Sequence, residues 1–298
     1  MASKETQILV LLRQVSDPRP PVRLAEPAVA VRDTGIRRIP NPADLAALEV
    51  AIGLAESKGA QVTAAAVGPE RLDDTLRLAV SMGAGRALRV WDDGIKGGDA
   101  VAEARVLRRL LEILRPSLFF TGSRLLDRGD EPSAALAASA FGMPYTNAAL
   151  SFHFEADRAE VLRKAERGGR QKVSLSLPCA VLFDVGAAEP RYPDLDAVLR
   201  SLEAPVELWG IPELGISALE LGFAGAALRP AGVSFPRPDP LRVPTPDPNL
   251  PGHERSRILL SGGIQAREGR MHFGSPEETV ARLLEIFAEE GLLPGGSR

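Results

Sequence analysis

Residues 122–133 hold the clearest chemical potential in the chain: Gly122-Ser123-Arg124-Leu125-Leu126-Asp127-Arg128-Gly129-Asp130-Glu131-Pro132-Ser133. A short apolar strand, Leu118 to Thr121, runs into this glycine-bearing turn, and an alanine-rich helix, Ala134 to Phe141, runs out of it. A strand, a tight turn and a helix start present backbone N–H groups to one point, which is how α/β proteins hold anions and nucleotides. Two other predicted strand ends carry turn chemistry, Val15-Ser16-Asp17-Pro18 and Val67-Gly68-Pro69. In a parallel sheet these ends fall on one edge, so the three turns are expected to converge on a crevice.

Other chemistries find little support. His153, His253 and His272 are not spaced with cysteine or carboxylate as metal ligands are. There is no nucleophile elbow and no phosphate-binding lysine loop. The single cysteine, Cys179, lies in an apolar run and reads as a buried small residue in a reducing, cytoplasmic setting. The chain of 298 residues is 45% hydrophobic and 25% charged, with net charge -3, an ordinary globular balance without the basic excess of a nucleic-acid binder. No apolar run is long enough to span a bilayer, and the N-terminus lacks a signal-peptide core. A carrier or binding protein is thus favoured over a hydrolase.

The elements that position the turns alternate. Strands are expected at 7–12, 62–67, 87–90 and 118–121. Helices are expected from Asn41-Pro42 to Gly59, from Leu72 to Gly83, and from Ala102 to Leu114. This implies a mostly parallel, doubly wound sheet. An antiparallel hairpin is expected at about 147–177, from strands at 150–154, 160–166 and 171–177, with Gly168-Gly169 as its turn. Another apolar strand spans 178–185, and the chain reads as loop from Pro205. The division expected is an α/β domain over 1–229 and a proline-rich arm over 230–298, closed by a helix. Ser275-Pro276-Glu277-Glu278 is that helix's capping box, and Val280, Leu283, Leu284 and Phe287 form its apolar stripe.

Several words in order and spacing carry a resemblance: Leu12-Arg13-Gln14-Val15-Ser16-Asp17; Asn41-Pro42-Ala43-Asp44; Val67-Gly68-Pro69; Ser81-Met82-Gly83-Ala84-Gly85-Arg86; the 122–133 loop; and Glu189-Pro190-Arg191-Tyr192-Pro193-Asp194-Leu195. Along nearly its whole length the chain resembles the β subunit of electron-transfer flavoproteins. The resemblance implies a fold of the adenine-nucleotide α-hydrolase-like type. It also implies an α-subunit partner with which FAD is shared, a flavin dehydrogenase as electron donor, and AMP or a second FAD in the crevice. Carried over by position, the nucleotide pocket involves Leu11, Asn41, Pro42, Asp44, Val67, Gly68, Gly122, Ser123, Arg124, Asp127, Arg128, Gly129, Asp130 and Ser133. Leu195 and Tyr192 belong to a segment that docks a dehydrogenase, and the C-terminal arm, with Leu283 and Phe287, clasps the α subunit.

The loop also departs from the family's usual pattern. Arg124 and Leu125 stand for glutamine and alanine, Asp130 for a small hydroxyl or thiol residue, Pro132 for glutamine, and Leu11 for a small residue beside the adenine. An aspartate opposing a phosphate is worth roughly 1.5–3 kcal/mol, so Asp130 is expected to hinder binding, while Arg124 and Arg128 could compensate and Ser133 could cap the helix. The near-neutral run from Arg200 to Pro205 replaces the family's lysines and weakens steering toward an acidic partner. A non-redox structural or regulatory role with a collapsed pocket is the other reading.

Overall fold

The computed structural model describes residues 6–20, 24–25, 30–31, 36–155, 158–228, 245–260, 271 and 273–289. They fall into two compact units, 1–235 and 236–298. The first is built on a nine-stranded sheet. Its strands in chain order are β1 (Gln7–Leu11), β2 (Gln61–Val67), β3 (Arg86–Val90), β4 (Leu118–Gly122), β5 (Tyr145–Glu155), β6 (Arg158–Lys164), β7 (Arg170–Ser176), β8 (Cys179–Phe183) and β9 (Val206–Trp209). Across the sheet the order is β7-β6-β5-β8-β4-β1-β2-β3-β9. Every pairing from β5 to β9 is parallel, and β6 and β7 add the antiparallel hairpin.

Strand β1 sits near the middle and is buried on both faces, which its unbroken apolar run requires. Ile8, Val10 and Leu12 pack with helices α1 (Pro42–Lys58) and α2 (Asp73–Met82) on one face. Leu9 and Leu11 pack with α3 (Ala100–Leu114) and α4 (Ser133–Phe141) on the other. Helix α1 has Asn41 at its N-cap position, Pro42 in its first turn and Gly59 at φ 68 beyond its end. The start of α3 comes from Asp99, whose carboxylate accepts the N–H groups of Val101 and Ala102 at 3.1 and 2.9 Å.

Two expectations need correction. The region after Pro205 is not loop throughout: Val206–Trp209 forms the parallel edge strand β9 against β3. Four residues between Pro205 and Gly210 are too few to show an alternation, and the strand is pinned from outside by Arg86, which grips Glu207 at 2.7 and 2.6 Å. The hairpin's first arm is antiparallel as expected, but it is not a separate short strand at 150–154. It is the last stretch of β5, which pairs parallel to β8 at Tyr145 and Thr146, shifts register before Ala149, and then runs antiparallel to β6. Ala148, at φ 53, takes up the irregularity. Phe120, Phe152 and Phe183 meet edge-to-face at 5.0, 5.0 and 6.3 Å and join this hairpin to the parallel core.

Helix α5 (Leu195–Glu203) follows β8 and the 189–194 segment. In the second unit, α6 (Pro276–Glu289) begins with the expected capping box: Ser275 N donates to Glu278 Oε2 at 3.0 Å, and Glu278 N donates to Ser275 Oγ at 3.2 Å. Most of the proline-rich arm lies outside the described residues.

Candidate functional site: the carboxyl edge of the sheet

Strands β4, β1 and β2 are neighbours, so their carboxyl ends open on the same edge. Arg13, two residues past β1, ties them together. Its Nη2 donates to Asp44 Oδ1 at 2.6 Å, Thr121 Oγ1 at 3.0 Å and the Gly122 carbonyl at 2.8 Å. Its Nε and backbone N donate to Asp44 Oδ2 at 3.0 and 2.9 Å. Gly122 N completes the carboxylate's set at 2.7 Å. Burial, the largest single influence, lowers the Arg13 guanidinium, but the charge and hydrogen bonds of Asp44, with the charges of Glu103 and Glu131, together outweigh it and the group stays raised. A Cβ on Gly122 would fall 2.6 Å from both Ala43 Cβ and Asp44 Oδ1, so glycine is required for this approach.

The other turns join by side-chain bridges. Gln14 Nε2 donates to the Arg71 carbonyl at 2.9 Å, next to the Gly68 turn. Ser16 N donates to Asp127 Oδ2 in the 122–133 loop at 2.9 Å. Asn41 does not cap α1 with its side chain. Its Nδ2 donates to the Arg124 carbonyl at 2.9 Å, and its Oδ1 accepts Leu126 N at 3.2 Å. The three strand-end turns thus meet at one edge.

The expected pocket residues take several places. Asn41, Asp44 and Asp127 hold the loop from behind. Gly122 and Gly129, the latter at φ 81, give it its bends. Ser123 N donates to the Phe183 carbonyl at 2.7 Å. Leu11 is buried in the core against the α3 and α4 side, and Val67 and Pro42 are half-buried. Arg124 is exposed, and Arg128 lies between Asp127 and Glu131 at 3.9 and 3.8 Å. The backbone of Asp130 pairs with Arg124, and its side chain lies outside what is described. Ser133 does not cap α4: it is the first residue of the helix, after Pro132, and it is fully buried.

Two carboxyl groups at this edge carry no signal in the sequence. Glu131 is 7% exposed and accepts Ser133 N at 3.3 Å. Half-buried Glu103, on α3, is pushed up to about 7 by burial first and then by the charge of Glu131, against the pull of Arg13 and Arg128. A carboxyl raised on folding binds more protons in the native state. Its contribution is therefore favourable at low pH and is lost as pH rises through about 7. Glu103→Gln is expected to flatten the fall in melting temperature between about pH 5 and pH 8. Parallel pH curves for the two proteins would rule out this assignment.

A nucleotide phosphate, the group the resemblance implies, meets mixed terms here. Arg13 Nη1 and Ser133 Oγ are buried donors without a hydrogen-bond partner in the protein, which suits an acceptor. The Glu131 carboxylate at the start of α4 opposes an anion, and Arg13 is already matched by Asp44. As folded, the edge does not fit a phosphate.

Away from the sheet edge, Arg191 is clamped onto α1. Its N, Nε and Nη2 donate to Glu49 at 3.0, 3.0 and 2.8 Å, and its Nη1 and Nη2 also bind Glu56. The next residue, Tyr192, is 97% exposed, and Leu195 is 71% exposed, so Leu195 does not pack inward. Leu199 and Leu202 on α5 are exposed with it, and Leu283 and Phe287 are exposed on α6. Among the described residues no metal-binding group and no membrane-spanning helix occurs.

Comparison with known proteins agrees with this architecture. The model of the electron transfer flavoprotein domain matches residues 29–214. The electron transfer flavoprotein subunit beta of Methylophilus methylotrophus is 27% identical over 227 residues, 75% of this chain and 86% of that protein. Protein FixA of Rhizobium meliloti is 32% identical over 219 residues, 70% of this chain and 74% of that protein. The Mus musculus electron transfer flavoprotein subunit beta is 28% identical over 215 residues, covering 71% and 84%. With its match over most of the chain and its sheet order in place, the chain belongs to the electron transfer flavoprotein family, on the beta-subunit side.

Proposed function

We propose that the chain is the β-type half of a heterodimer that carries electrons between flavin dehydrogenases and an acceptor, with redox FAD held together with an α-type subunit. The observation that carries this reading is the Arg191 clamp. Several charge-assisted bonds to Glu49 and Glu56 fix a segment whose next residues, Tyr192 and Leu195, face solvent. A rigid, exposed aromatic-and-leucine patch suits a docking surface. FAD supplies the electron-carrying chemistry, and this chain supplies the surface and the frame. The one cysteine, buried and free, suits a reducing cytoplasmic setting. Co-expression with the α-type subunit of the same organism should yield a yellow one-to-one complex with one FAD, reducible by a flavin dehydrogenase. A complex that forms without flavin would favour the second reading, a structural or regulatory member, for which the buried Glu131 at the crevice speaks.

Leu195→Ala tests the docking segment. An exposed leucine contributes little to folding, so the melting temperature should stay within about 1 °C of wild type. Loss of one docked leucine, about 1.5–3 kcal/mol, should slow electron transfer from the dehydrogenase by roughly tenfold or more. Unchanged stopped-flow rates would remove Leu195 from the interface.

A further inference from the structure

We propose that Glu131 decides what the crevice accepts: its carboxylate holds the anion seat at the start of α4 and so keeps phosphate-bearing nucleotides out. The start of a helix is where backbone N–H groups and the helix dipole favour an anion. Here that anion is supplied by the chain. Glu131 Oε1 accepts Ser133 N at 3.3 Å, and the carboxylate is buried.

The rest of the seat is in place. Ser133 Oγ and Arg13 Nη1 are buried donors with no partner in the protein. Arg13 feels the charges of both Glu131 and Glu103. With Glu131 removed, Ser133 N and Ser133 Oγ at the start of α4 are left to an incoming acceptor, and Arg13 Nη1 remains a buried donor without a partner. With Glu131 present, the charge balance is unfavourable. Asp44 neutralises Arg13 at 2.6 Å, and Arg128, with its side chain 65% exposed, is shared between Asp127 and Glu131. A phosphate dianion would meet the Glu131 carboxylate with no surplus cation among these groups. Like charges in a partly buried site repel strongly. The inference concerns the crevice alone and does not depend on the electron-carrier reading.

Titration calorimetry of the full-length chain with AMP at about pH 7.5 tests it. Wild type should show no binding at millimolar AMP. Glu131→Ser should bind AMP at least about tenfold more tightly, because the charge-assisted bonds are released to the ligand, and inorganic phosphate should compete. Glu131→Gln, which keeps the side chain's shape, should move the same way and stands in if the serine variant melts early. Micromolar AMP binding by wild type would overturn the proposal, as would AMP or FAD recovered one per chain from its crevice. So would variants with wild-type melting temperature that gain no affinity. A flavin-loaded heterodimer with an AMP-free crevice would support it, and loss of flavin loading would leave this result intact.

Discussion

Replacing Asp44 with alanine is expected to cost about 3–5 kcal/mol of stability, because it leaves the Arg13 guanidinium buried and unpaired. Asp44 accepts three hydrogen bonds from Arg13 and one from Gly122 N, and both side chains are almost fully enclosed. Urea unfolding should show a lower midpoint with an unchanged slope. The double replacement Arg13→Met with Asp44→Leu should recover most of the loss, since an apolar pair needs no compensating charge. A single mutant within about 1 kcal/mol of wild type would mean that water reaches the guanidinium, and that the knot does not seal this edge.

Deleting residues 275–298 is expected to abolish the one-to-one complex with the α-type subunit while the α/β unit keeps its own melting transition. The helix is well started by Ser275 and Glu278, yet Val280, Leu283, Leu284 and Phe287 remain exposed on one side. The spacing i, i+3, i+4, i+7 is that of a helix face built to be covered. An isolated helix of this length is marginal in water. Each of the four side chains contributes about 1.5–3 kcal/mol when buried. Light scattering of the mixed, truncated protein would report separate peaks. A complex of full mass at the same concentration would show that the arm is not the clamp.

The layers of the fold were legible because each rests on a local rule. Helix α1 has proline at its start and glycine after its end, and the apolar run of β1 can only be central. Strand β9 was hidden by its four-residue length and by partners far along the chain, Ala87 to Val90. The dual pairing of β5 was hidden because parallel and antiparallel registers look alike in sequence. At the site, the 122–133 loop and the glycines were readable from turn chemistry. Arg13 stood in the sequence as one letter of a family word, and only the fold brings it to Asp44 and Thr121. Glu103 and Glu131 come from different helical neighbourhoods, and nothing in their spacing announces that the charges of both act on the same guanidinium. Asp130, the loop aspartate expected to oppose a phosphate, is next to the acid that the fold buries, Glu131. A one-residue offset in a loop is beyond pattern reading, because loops lack a period that fixes which side chain turns inward.

Helix α1 touches both ends of the molecule's chemistry. Its first turn, through Asn41 and Asp44, carries the crevice loop and the Arg13 knot, and its later turns, through Glu49 and Glu56, carry Arg191. A helix is stiff along its axis, and Asp44 and Glu56 lie about 18 Å apart on it. The two regions therefore share one lever. Any displacement of α1 at Glu49 and Glu56, where Arg191 holds it, would move the carboxylate that seats Arg13 as well.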